Sequence, residues 1–149
     1  MFFSGEESGV TVQFYHNSEE PLDLNELETD ANRQKVRSWW QTLLKLRRHN
    51  PRIQGPSPLE VHYVSGPIIA FSRGDAQDYF IVLNFSDGEI TESLGLMNLP
   101  AGTYQERLNS TYPAFQVEFE NEYRNWGHLH RDTWLNIPDN GAVILERVN

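Results

Sequence analysis

Apolar positions follow three different rhythms along the chain. Residues 1–30 have none that is sustained: Phe2, Phe3, Phe14 and Tyr15 are followed by an acidic stretch over 19–30. Such a segment reads as a loop or an arm that needs a surface to pack against. Residues 32–50 follow helical spacing, with Val36, Trp39, Trp40, Leu43, Leu44 and Leu46 forming one apolar stripe. At about 100° per residue the stripe is wide enough for a core-facing helix. Thr29 and Asp30 are candidate N-caps, and Lys45, Arg47, Arg48 and His49 place cations where the helix dipole favours them. Asn50-Pro51 ends the helix, because proline cannot continue it and restricts the residue before it. Arg47 falls inside the apolar stripe and reads either as a snorkelling side chain at the helix end or as a buried, paired one.

From Leu59 onward the rhythm changes to short alternating runs separated by turn residues. Strands are predicted over 60–64, 68–73, 78–85, 90–96, 103–109, 115–119, 133–137 and 142–148. Ser65-Gly66-Pro67, Arg73-Gly74-Asp75, Ser86-Asp87-Gly88, Pro100-Ala101-Gly102 and Asp139-Asn140-Gly141 supply the turns. About eight short strands in this order predict a mainly β fold, an antiparallel Greek-key β-sandwich with one N-terminal amphipathic helix packed on it. The run 78–85 is apolar on both faces, with Tyr79, Ile81 and Leu83 opposite Phe80 and Val82. That pattern suits a central strand covered on both sides, and the helix stripe is the natural second cover.

Composition narrows the functional classes. With 149 residues and 38% hydrophobic content the chain can bury a core of its own. A formal net charge of -9 disfavours nucleic acid and anionic membranes as partners, since both require surplus Lys and Arg. It suits a neutral ligand. The absence of cysteine removes disulfide frameworks and thiolate metal sites. No apolar run reaches the about 20 residues of a membrane helix. No cofactor motif is present: there is no Gly-rich phosphate loop, nucleophile elbow or metalloprotease helix.

Three constellations invite a chemical reading. His128 and His130 can share a strand face, but a metal needs a third and fourth ligand and none is evident. Glu118, Glu120 and Glu122 alternate, and alternate strand residues lie about 7 Å apart. A glycosidase acid pair needs about 5–9 Å, yet nothing marks a pocket, so a solvated acidic strand is the simpler reading. Tyr112, Tyr123, Trp126 and Trp134 are the candidate carbohydrate-binding residues, because exposed aromatic rings stack on the C–H faces of sugars. Filling of the sandwich core competes for the same four side chains and is the commoner fate of aromatics. Asn84-Phe85-Ser86 and Asn109-Ser110-Thr111 fit the glycosylation sequon.

The opening Met1-Phe2-Phe3-Ser4-Gly5-Glu6-Glu7-Ser8-Gly9 resembles the segment after the eighth barrel strand of α-amylase-family enzymes. Trp40 to Pro51, with its Leu43-x-x-Leu46-Arg47 core, resembles that family's last barrel helix. Ile69 to Arg73, followed by Phe80 to Ser86, resembles the first half of its C-terminal β domain, and Leu99 to Asn109 is similar to that domain in glucan branching enzymes and trehalose-forming relatives. The pieces fall in the family's order over nearly the whole chain, while 115–134 matches no pattern of the family. The resemblance implies a barrel remnant over 1–52 and a C-terminal all-β sandwich over 53–149. It implies a non-catalytic accessory domain whose partners are the catalytic barrel of a larger enzyme and possible α-glucan. The catalytic acids of the family lie on earlier barrel strands, so no residue here inherits their role; Glu6 and Glu7 match a motif at the rim of the active site. An independent carbohydrate-binding module and a protein-docking sandwich are the other open functions. A branching-enzyme-like parent implies a cytoplasmic location, with a secreted or periplasmic one left open. The arm before Asp30 is expected to be less ordered than the chain after Pro51, because a barrel strand takes hydrogen bonds from two neighbours.

Overall fold

The computed structural model describes residues 28–54, 56–110 and 128–149. The expectations for the arm before residue 28, for a strand at 115–119 and for Glu118, Glu120 and Glu122 lie outside the described residues. Within them the chain forms helix α1 (Ala31–His49), a 3-10 turn (Pro51–Ile53) and strands β1 (Leu59–Ser65), β2 (Ile68–Arg73), β3 (Tyr79–Asn84), β4 (Ile90–Ser93), β5 (Tyr104–Asn109), β6 (Trp134–Ile137) and β7 (Gly141–Arg147). The mainly β antiparallel sandwich with an N-terminal helix is what the periodicity predicts.

Two sheets form the layers: a five-stranded sheet in the order β1-β2-β3-β7-β5 and a two-stranded sheet of β4 and β6. All pairs are antiparallel. β3 is the central strand, as its two apolar faces require. Phe80 and Val82 point between the sheets and are fully buried with Ile68, Ala70, Val143 and Leu145 from neighbouring strands. Leu135 and Ile137 of β6 close the layer from the other side.

Turn chemistry fixes the corners. Gly66 (φ 54°) turns β1 into β2, and Gly74 has φ 102°, a conformation that L side chains rarely adopt. A Cβ on Gly74 would also meet the Asp78 carboxylate at 2.7 Å. Asn140 (φ 40°) sets the last turn, its N–H donating to the Ser86 carbonyl at 2.8 Å and its Nδ2 to Asp87 Oδ1 at 2.8 Å.

The predicted run 90–96 is shorter as a strand. β4 stops at Ser93, and the chain coils so that the Leu96 and Met97 amides both donate to the Ser93 carbonyl. The coil drives Leu94, Met97 and Leu99 into the core and leaves Leu96 60% exposed. The register of β1 and β2 shifts between Val61 and Tyr63, making His62 the extra residue of a bulge. Its Nε2 lies 2.8 Å from Ser72 Oγ, its ring stacks obliquely on Phe80, and its carbonyl accepts from Asn98 Nδ2. The bulge therefore joins β1 to the loop that carries the second layer.

Candidate functional site

Helix α1 lies on the outer face of the five-stranded sheet. Trp39, Leu43, Leu46 and Ile53 pack on Tyr79, Leu108 and Ile144. No residue of the helix is fully buried. The stripe is narrower than its sequence suggests: Leu44 is 56% exposed, because it lies to one side of the contact line through Trp39, Leu43 and Leu46. Asp30 is the N-cap, its Oδ1 accepting from the amides of Asn32 (2.8 Å) and Arg33 (3.2 Å). Arg47 is exposed and borders a cleft of about 280 Å³ between helix and sheet, which answers its ambiguity in favour of the snorkelling arrangement.

A polar clasp holds the helix end. Asn50, the C-cap, donates from Nδ2 to the Tyr79 hydroxyl. The Tyr79 phenol is bonded in turn to Glu146, and Arg107 Nε donates to Glu146 Oε2 at 2.5 Å. Arg52 pairs with Asp78 at 3.5 Å. Burial pushes the Tyr79 phenol well above its ordinary range, and the Glu146 carboxylate adds to the shift. Desolvation also raises Tyr104, whose ring is wholly inside the sandwich core. A second, polar cleft of about 260 Å³ lies at the end of β1 and β2, lined by residues including Glu60, Ser72, Asp75, Gln77 and Arg147. Gln77 Nε2 donates to Glu60 Oε2 there at 2.6 Å, and Arg147 Nη1 to the Ala76 carbonyl at 2.9 Å. Sequence reasoning missed this cleft, since its residues come from three separate strand ends and no local motif announces it.

Of the four candidate sugar-binding aromatics, Tyr112, Tyr123 and Trp126 lie outside the described residues. Trp134 is 61% exposed on the outer face of the small sheet. Core filling does not apply to it: Leu135 and Ile137 occupy the core face of β6, so the period of two turns Trp134 outward. Ser93 stands directly opposite Trp134, and Thr91 opposite Asn136.

The family description "Alpha amylase, C-terminal all-beta domain" matches residues 63–148, more than half of the chain. The chain belongs to this α-amylase C-terminal domain family. The match begins inside β1 and runs to the residue after β7, so it spans both sheets of the sandwich and leaves α1 outside. No curated protein matches the chain. Among solved structures, alpha-galactosidase I from Mortierella vinacea is similar over 62% of this chain and 23% of its own length, with 19% identity and a TM-score of 0.38. The chain thus spans about a quarter of that neighbour's length.

In this α-amylase C-terminal domain both sequon asparagines are structural. Asn84 is 2% exposed and its Nδ2 donates to the carbonyls of Gly88 and Pro138, both at 2.9 Å. Asn109 is fully buried. Neither amide presents itself to a glycosylating enzyme in the folded state. His128 and His130 flank Leu129, whose backbone exchanges hydrogen bonds with Tyr104 at 2.8 and 3.0 Å. Among the described residues, no group of three or more His, Cys, Asp or Glu side chains is placed to hold a metal ion.

Proposed function

We propose that the chain is the C-terminal part of a longer α-amylase-family enzyme acting on α-glucans, with residues 1–52 the end of its catalytic barrel and 53–149 a non-catalytic accessory sandwich. The observation that carries this reading is the half-covered outer face of the five-stranded sheet. Helix α1 seals the portion around Tyr79, Leu108 and Ile144. Beside it Leu59, Val61 and Val64 stay 55%, 54% and 67% exposed. They pair with Arg73, Phe71 and Ile69, which places all three on the helix side of the sheet. The His62 bulge is what brings both Val61 and Val64 to that face, since strict alternation would separate them. Leu44 of the helix adds to the exposed apolar surface. A contiguous apolar strip beside a docked helix suits burial against the rest of a barrel whose last helix is α1.

On this reading the sandwich shields the barrel's apolar exterior and contributes stability. The parent cleaves or transfers α-1,4 or α-1,6 glucosidic bonds by two carboxylates carried on barrel strands upstream. Two measurements test it. The reading frame upstream of Met1 is expected to encode the preceding barrel strands, and an unrelated frame there would overturn the proposal. Purified chain is expected to release no sugar from starch or amylose. Turnover that follows the protein and disappears in Glu118→Gln or Glu120→Gln would replace the accessory role with a catalytic one.

A further inference from the structure

We propose that the outward face of the two-stranded sheet is a stacking site for one glucose unit of an α-glucan, with Trp134 as its platform and Thr91, Ser93 and Asn136 as its polar rim; the choice of α-glucan rests on the parent activity proposed above, the site itself does not. Trp134 is 61% exposed, although burial is the ordinary condition of so large an apolar ring. Its neighbours explain why the exposure is not a hydrophobic patch in the making. Ser93 is its cross-strand partner, Asn136 lies two residues along the same strand, and Thr91 pairs with Asn136. Directly opposed and alternate positions share one face, so all four side chains stand on the same side of the sheet.

The Thr91 hydroxyl donates to Asn136 Oδ1 at 2.9 Å, which fixes the orientation of the amide beside the indole. The sheet beneath is held in place by Leu135 and Ile137, both fully buried in the core. The result is a flat apolar plate on a rigid strand, bordered at about 5–7 Å by hydroxyl and amide groups. A pyranose has the matching duality: an apolar C–H face and a rim of hydroxyls that both donate and accept. None of the four positions is charged, and the chain carries a formal net charge of -9, so a neutral sugar fits where a phosphate or an anionic glycan does not. A protein partner fits less well, because the core of such an interface needs contiguous apolar area and here one ring is surrounded by polar side chains. That contiguous area exists on the opposite side of the molecule, at Leu59, Val61 and Val64.

Affinity electrophoresis of the full chain through native gels containing amylopectin, with maltoheptaose as the soluble competitor, tests the site. Wild-type chain is expected to be retarded, and Trp134→Ala to weaken binding roughly tenfold or more, the scale of one lost aromatic stacking contact. Trp134→Phe is expected to retain part of the binding. Phe85→Ala, which removes another exposed ring (63%) outside this face, is expected to bind like wild type. Circular dichroism of each variant separates loss of binding from loss of fold. Equal retardation of wild type and Trp134→Ala would overturn the site. Retardation of neither would overturn it as well, leaving the accessory-domain reading intact. Trp134-dependent binding to xylan or a β-glucan in place of amylopectin would overturn the α-glucan assignment. A change of oligomeric state in Trp134→Ala without any effect of glucan would assign the face to a second copy of the chain and overturn the proposal.

Discussion

The two faces of the five-stranded sheet are built on different terms. The inner face is a sealed interior: Phe80, Val82, Ala70, Val143 and Leu145 are all fully buried against the second sheet and its loop. The outer face is a docked surface. Among the described residues only Tyr79, Leu108 and Ile144 are buried there, the helix residues above them are half-covered, and a cleft of about 280 Å³ remains between the two. On the inner face close packing provides the cohesion, because each side chain is enclosed by others. On the outer face the apolar contact is partial, and the clasp of Asn50, Tyr79, Glu146 and Arg107 contributes directional bonds at the helix end. The difference teaches that the sandwich is the structural unit and the helix an attachment to it, in line with a family match that spans the sandwich and omits the helix.

Substitutions break or sharpen this contrast in a graded order. The largest effect is expected inside: Phe80→Ala leaves a cavity between the sheets and should cost about 3–5 kcal/mol in chemical denaturation. Trp39→Ala removes a half-covered contact on the outer face and should cost less than half as much, about 1–2 kcal/mol. Equal costs for the two would mean that the helix is as much a part of the core as β3.

Tyr79→Phe tests the clasp, with an expected loss of about 1 kcal/mol near neutral pH from the removed hydroxyl. It also has a pH signature. A phenol whose folded-state pKa lies above its unfolded value holds its proton more tightly when folded. The stabilisation is complete below the unfolded value of about 10 and is lost as the pH rises beyond it. Both Tyr79 and Tyr104 are raised in this way, so the wild-type chain should lose stability above about pH 10 and the Tyr79→Phe variant should lose less. Parallel curves for the two proteins would remove Tyr79 from the account. The smallest effect is expected at Trp134→Ala, which should change stability by less than about 0.5 kcal/mol, as befits an exposed side chain.

Much of this architecture is legible from neighbours in the chain. Asp30 and Asn50-Pro51 bound the helix because capping and proline geometry act within one turn. Gly66, Gly74 and Asn140 mark corners because their backbone dihedrals suit tight turns. β2 runs over the predicted 68–73, and the double-faced apolar run of β3 announces a central strand. The candidate sugar site was half legible: the alternation of Leu135 and Ile137 points Trp134 outward, yet its companions Ser93 and Thr91 come from a strand about forty residues earlier.

What the chain determines by itself, then, is the set of elements, their ends and the family they resemble, since these depend on spacings of a few residues. Tertiary structure decided which elements meet and in what register. Strand β7 inserts between β3 and β5, pairing Phe80 with Leu145 and Tyr79 with Glu146. Through that register Glu146 reaches the clasp and Asn84 and Asn109 are sealed from glycosylation, while the separate pairing of β1 with β2 carries the His62 bulge that turns Val61 and Val64 to the helix side. A shift of one residue in the pairing would send every one of these side chains to the opposite face. Such long-range registry is selected by the burial of whole sheet faces at once, and no local stretch of sequence carries it.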